Sequence, residues 1–254
     1  MQAVRTLFAA AAVLTLTLGT SRTAPAQALP SAAAVLARHA TAVGGTDAVM
    51  KITSLKQVAS LQLPAMGITA DIEMYMAAPN KLASKTSIPG LGEMLQGTNG
   101  DIGWDANPMQ GPRLLADKEL AQTKEGADFY GNMLYPADRY STLENLGIVD
   151  FNGEQAYKLK LVRKDSGREA TQYFSVASGL AIGSETTQES QMGSMPVSAV
   201  FTDYKEFGGV KFATKSQMTA GPNTIITVIT DIVVNNVPAT AFDVPESVKP
   251  LIKK

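Results

Sequence analysis

The chain has 254 residues, 22 of them basic and 23 acidic, a net charge of −1, and no cysteine. That balance leaves no electrostatic footprint for nucleic acid or an anionic membrane surface. Without cysteine, disulfides and thiolate chemistry are excluded, and a chain of this length must hold one domain together by burial alone.

Residues 1–28 read as an export leader. Arg5 supplies the positive start, Leu7 to Leu18 is an apolar run, and Ala26-Gln27-Ala28 is a small-x-small cleavage signal. The run is too short for the roughly 20 residues that a membrane span takes. No cysteine follows it, so lipid attachment at the new N-terminus is excluded. Cleavage near Ala28 removes Arg5 and Arg22 and no acid, moving the net charge from −1 to −3. The expectation is a periplasmic or secreted domain over residues 29–254 with no transmembrane segment.

Ser31 to Val43 is Ala-rich, with Val35, Leu36, His39 and Val43 spaced for one helical face, Ser31 suited to the N-cap and Gly44-Gly45 to the C-cap. A short second helix starts at Thr46-Asp47 and runs through Met50. Strands begin near Leu55, with Leu55, Gln57, Ala59, Leu61 and Leu63 on one face. After the Pro64–Gly67 turn, Ile68, Ala70, Ile72, Met74 and Met76 face one way while Thr69, Asp71, Glu73 and Tyr75 face the other. Leu82 to Ile88 follows, then Pro89–Gly92 as a loop. Glu93 to Thr98 and Ile102 to Asn107 form a hairpin through Asn99-Gly100. Pro108 to Pro112 breaks the pattern, and Asp117 to Met133 reads as one helix capped by Asp117. Ser141 to Val149 returns to strand. From Val149 to Val234 five or six antiparallel strands follow one another, punctuated by Asn152-Gly153, Asp165-Ser166-Gly167, Ser178-Gly179, Gly208-Gly209 and Gly221-Pro222-Asn223. About eleven strands in one antiparallel succession must curl into a barrel, an open half-barrel or a sandwich.

Catalytic apparatus is absent from the pattern. His39 is the one histidine, and no Gly-x-Ser-x-Gly elbow, dinucleotide fingerprint, Gly-Lys-Ser/Thr loop or zinc spacing occurs. Carboxylates stand near one another at Asp101 and Asp105 around Trp104, and at Asp71 and Glu73. A hydrolase pair or a calcium site would need such groups. A turn residue and a solvated strand face explain them more simply. The expectation is no enzyme, no metal and no cofactor.

Binding is the better prospect. Met66, Met94, Met109, Met133, Met192 and Met195 sit in or beside loops, where flexible thioethers either fill gaps or adapt to apolar ligands. Leu61, Ile72, Met74, Met76, Met94, Trp104, Leu159, Leu161, Phe174, Phe201 and Phe212 are the candidates to line a cavity on the hollow side of a curved sheet, Trp104 also suiting the core.

Four short motifs carry a family resemblance. His39-x-x-Ala42-x-Gly44-Gly45 with Ile52 and Ser54, Gly97-x-x-Gly100-x-x-Gly103-Trp104, Pro108-Met109-x-Gly111, and Val237-Pro238-x-x-x-Phe242-x-x-Pro245 resemble the outer-membrane lipoprotein-sorting (LolA/LolB-like) proteins. The resemblance implies a mainly β fold with some α: a strongly curved antiparallel half-barrel of about eleven strands, with the N-terminal and inserted helices packed on its concave side. It also implies a hydrophobic cavity for lipid or lipoprotein acyl chains, no enzymatic activity and no cofactor. A lid arginine is implied too, with Arg38 and Arg113 as candidates. A related outcome is a non-enzymatic envelope interaction or sensor module, its cavity plugged by its own helices.

Overall fold

The computed structural model describes residues 28–190 and 193–252. The leader before Ala28, Met192 and the terminal lysines lie outside the described residues. Helices α1 (Ala32–Ala42) and α2 (Thr46–Met50) lead into strands β1 (Ser54–Leu63), β2 (Ile68–Ala77), β3 (Lys81–Ile88), β4 (Gly92–Thr98), β5 (Gly103–Asn107) and β6 (Gly111–Leu114). Helices α3 (Asp117–Gly126) and α4 (Phe129–Leu134) follow. Strands β7 (Tyr140–Phe151), β8 (Glu154–Arg163), β9 (Glu169–Ser175), β10 (Ala181–Ser190), β11 (Gly193–Phe207), β12 (Val210–Ala220) and β13 (Asn223–Val234) complete the sheet.

All 13 strands form one antiparallel sheet in the order β6-β5-β4-β3-β2-β1-β13-β12-β11-β10-β9-β8-β7. Two meanders therefore meet where β1 pairs with β13, and their far strands, β6 and β7, are the two open edges. The α3–α4 segment is the connection between those edges. Helix α3 touches β4 and β5 on one limb and β10 on the other. On a flat sheet β5 and β10 would stand about 38 Å apart at ~4.8 Å per strand step, whereas a ten-residue helix is only about 15 Å long. The sheet must therefore be strongly bent. It is an open, curved sheet, mainly β with few helices, and it does not close into a barrel.

Two of the sequence readings are corrected. The sheet has 13 strands rather than about eleven, because Gly111–Leu114 pairs with β5 despite Pro112; a proline fits on this edge, where one side of the strand lacks a partner. The helix expected over Asp117–Met133 is two helices, broken at Ala127-Asp128. Asp117 does not cap α3; Ala116 holds that position without a side-chain bond, and Asp117 itself has φ 45°.

Local chemistry sets the helix ends that matter. Ser31 Oγ accepts from Ala34 N at 3.2 Å and starts α1. Asp128 accepts from Gly131 N and starts α4. The apolar face of α1 is buried: Val35 and Leu36 pack on Leu159, Leu161, Phe174 and Ala181 of β8 to β10. Val43, Val49 of α2 and Ile52 pack with Leu55, Phe129, Val210 and Ile232, so this second cluster joins β1, β12, β13 and α4. The helices fill part of the hollow between the limbs.

A third cluster lies on the opposite, outer face. Partners across an antiparallel pair share a face and neighbours along a strand alternate. Met74 opposes Ser84, Ser84 opposes Gln96, and Gln96 opposes Asp105, which puts these four on the inner face. Trp104 is then on the outer face, where it packs with Ala106 and Val248 under the C-terminal segment. Gly97 is directly opposite Trp104. A Cβ on Gly97 would lie 2.5 Å from the Leu82 carbonyl oxygen and 2.7 Å from Trp104 Cζ2. Gly97→Ala is expected to cost about 1–3 kcal/mol, since neither the backbone nor the indole has room to yield. Chemical denaturation against the wild type measures it, and an unchanged midpoint would refute the account.

Candidate functional site

The inner face runs without interruption from one limb to the other. Leu61, Thr227, Ser216 and Phe201 oppose one another in turn across β1, β13, β12 and β11. Ala199, Ser184, Gln172 and Leu159 make the neighbouring row across β11, β10, β9 and β8. Alternation from these rows places Ile72, Met74, Met76, Met94, Leu161 and Phe174 on the same face.

Two cavities open between this face and the helices, and a third lies beside them, between α3 and the turns after β2 and β8. The first, about 320 Å³, lies beneath α3. Its floor is Leu161, Ala170, Gln172, Thr186, Val197 and Met218, and its roof is Gln122, Glu125, Asn132 and Tyr135. Burial pushes the Tyr135 phenol up to about 12, so it is neutral in the wall. The second, about 180 Å³, is lined by His39, Met133, Phe201, Tyr204 and Phe212 among others. The third, about 400 Å³, is polar, with Lys124, Glu125, Asp128, Arg139, Arg163 and Asp165 in its walls.

The structure distributes the candidate lining residues unevenly. Leu161 lines the first cavity, and Phe201 and Phe212 line the second. Leu159 and Phe174 are fully buried against α1, and Met76 packs on the cluster around Phe129. Leu61, Ile72, Met74 and Met94 are half-buried on the inner face and border none of these three cavities. Trp104 is corrected: it faces the other side of the sheet and is 2% exposed in the outer cluster. Sequence reasoning missed Ala170, Gln172, Thr186, Val197, Met218 and Tyr135.

Polar side chains tie α3 down at both ends. On the β5–β6 side, Arg113 Nη1 donates to Glu119 Oε2 at 2.7 Å and Nη2 to Asp105 Oδ2 at 2.8 Å. On the β9–β10 side, Gln122 Oε1 accepts from Glu189 N at 2.8 Å, and Arg168 Nη1 pairs with Glu125 Oε2 at 2.5 Å. Of the two arginine candidates, Arg113 bridges strand and helix; Arg38 donates to the Ala177 carbonyl at 2.9 Å and holds α1 to the β9–β10 turn.

Two of the four carboxylates have structural partners, Asp71 is exposed on its strand, and Asp101 is a turn residue. Asp105 is held by Arg113, Asp101 sits in the turn where its N–H bonds Asn99 Oδ1, and Glu73 accepts from Tyr75 and pairs with Lys56 at 2.9 Å. Among the described residues no group of three or more His, Cys, Asp or Glu is placed to hold a metal ion, and no helix is long and apolar enough to cross a membrane.

Solved structures share this bent antiparallel sheet. A DUF1329 family protein from Desulfovibrio piger superposes with a TM-score of 0.57 at 11% identity, over 85% of this chain and 98% of that one. A LolA superfamily protein from Nitrosomonas europaea gives 0.55 at 13% identity, over 85% and 98%. A domain named for outer membrane lipoprotein sorting, from Vibrio parahaemolyticus, gives 0.51 at 13% identity, over 75% and 89%. No family model matches the chain, and no curated protein matches it in sequence. At these identities the likeness is one of fold.

Proposed function

We propose that this chain is a non-enzymatic binding or carrier protein of the bacterial envelope, exported by the leader at residues 1–28, whose hollow receives lipid or lipoprotein acyl chains. The observation that carries the reading is the cavity of about 320 Å³ under α3, with Leu161, Ala170, Val197 and Met218 in its wall, where the helices leave the inner face of the sheet uncovered. That size is at the small end of ordinary ligand sites. One of the structural neighbours is named for lipoprotein sorting, which agrees with this use of the fold.

Native mass spectrometry after gentle purification is expected to show co-purified lipid, and a fluorescent acyl probe to gain emission on binding. Neither lipid nor probe uptake would overturn the carrier reading. A second reading, an envelope interaction module with a self-plugged hollow, draws on the open β7 edge, where Leu146 and Ile148 are 51% and 45% exposed. An unpaired strand can accept another. Under that reading a partner protein is captured from an envelope extract while the acyl probe stays free.

A further inference from the structure

The wall of the cavity beneath α3 is not uniformly apolar. Two side-chain oxygens in its lining residues, Glu125 Oε1 on the roof and Gln172 Oε1 on the floor, are buried and have no hydrogen-bond partner among the described residues. Buried acceptors are nearly always paired, so two orphans in one cavity wall call for a donor. Glu125 is already half committed: its other oxygen pairs with Arg168 Nη1 at 2.5 Å. Arg168 is itself engaged further, its Nη2 donating to the Thr187 carbonyl at 2.7 Å. Gln172 sits on the floor with Leu159 and Ser184 as its cross-strand neighbours.

Charge around the cavity is balanced. Arg163 and Arg168 are matched by Glu125 and Glu169 among the lining residues, and Arg163 is bound to Asp128 and Asp165. A carboxylate head would bring acceptors to acceptors and a negative charge to Glu125. A quaternary ammonium has no donor to give and would meet two arginines. What complements an unpaired carboxylate oxygen and an unpaired amide oxygen beside Leu161, Ala170, Val197 and Met218 is an uncharged donor on an apolar chain.

We infer that the α3 cavity selects neutral amphiphiles whose head carries hydroxyl or amide N–H donors, with Glu125 and Gln172 accepting from the head and the floor of β8 to β12 taking the start of the chain. This rests on the acyl-binding reading and specifies its ligand class. The two oxygens then act as a selectivity filter, because a bare hydrocarbon or ester leaves both unpaired, and such a loss discriminates strongly.

The test is displacement of a fluorescent acyl probe from the whole protein by 1-monooleoylglycerol and by methyl oleate, which share a chain and differ in donors. Monooleoylglycerol is expected to compete at least about tenfold more strongly, a difference of 1.4 kcal/mol. Gln172→Met, close in shape and without one of the two acceptors, is expected to narrow the preference between the two competitors several-fold, Glu125 keeping the remainder, and to raise the melting temperature of the ligand-free protein. Equal competition in the wild type, or a preference untouched in Gln172→Met, would overturn the inference and assign the two oxygens to water. A probe that never binds would instead overturn the carrier reading itself.

Discussion

Replacing Asp128 with alanine is expected to destabilise the protein by about 2–4 kcal/mol, the sum of a lost helix cap and lost hydrogen bonds to a mostly buried guanidinium. Asp128 sits at the junction of α3 and α4 and is 8% exposed. Oδ1 accepts from Gly131 N at 3.2 Å, the N-cap bond of α4, and from Arg139 at 3.4 Å. Oδ2 accepts from Arg163 Nη2 at 3.2 Å, and the Arg163 side chain is only 13% exposed. Truncation therefore removes a cap, worth about 1 kcal/mol, and leaves a half-buried guanidinium with one partner, Asp165 at 2.7 Å. Gly131 belongs to the same device, because a Cβ there would collide with the Asp128 carboxylate. Asp128→Asn keeps the cap acceptor and loses the charge, so it should recover about 1 kcal/mol of the loss. Urea midpoints of the three proteins measure the series. Alanine and asparagine variants equal to the wild type would show that the junction is held by α4 packing alone. Since the polar cavity and the cavity under α3 both have walls in this junction, the alanine variant should also bind the acyl probe more weakly.

That junction shows where the sequence was legible and where it was not. Gly126 followed by Asp128 is a helix stop beside a helix start, but Ala127 and Tyr130 also fit one continuous helical face, and the continuous pattern suggested a single helix. Hairpins were easier to read, since Asn99-Gly100, Asn152-Gly153 and Gly208-Gly209 interrupt clean two-residue alternation, and each lies between paired strands. Alternation assigns residues to faces without saying which face is hollow. Curvature depends on how many strands accumulate their twist and on what crosses them, neither of which is local. Trp104 illustrates the cost of that gap: its parity is fixed by the sequence, yet only pairing with β4 and the C-terminal segment shows that its side of the sheet is the outer one. Gln172 illustrates the converse. Beside it Tyr173 faces outward, stacked on Phe151 at 4.1 Å, while the glutamine faces the hollow. A rule of apolar in and polar out inverts that pair, so the polar part of the cavity escaped a search for greasy residues.

Acid should weaken the protein through His39, and the sign follows from burial. His39 lies on α1, 3% exposed, with its ring edge-on to Tyr135 at 5.4 Å and to Phe174 at 5.1 Å, and Nδ1 3.2 Å from the Gly179 carbonyl. Burial among these groups lowers its pKa from 6.5 to about 4, against an opposing pull from the Gly179 and Met133 carbonyls. The unfolded chain therefore binds a proton that the folded one refuses between those two values. Stability is fully present above about pH 6.5 and is lost as pH falls toward 4; at 1.36 kcal/mol per pH unit the loss approaches roughly 3 kcal/mol. Carboxylates such as Glu73 and Asp165, held low by Lys56 and Arg163, add their own losses at lower pH. A difference experiment isolates the histidine: unfolding free energies at pH 7 and pH 4.5 for wild type and for His39→Phe, which keeps an aromatic ring between Tyr135 and Phe174 and cannot take a proton. The wild type should lose more than the variant over this interval by about 2–3 kcal/mol, and equal slopes would place the acid sensitivity elsewhere. Since His39 and Met133 share the wall of the second cavity, and His39 ties α1 to the β9–β10 turn, the cost of burying a charged imidazole falls on the packing of α1 against the sheet.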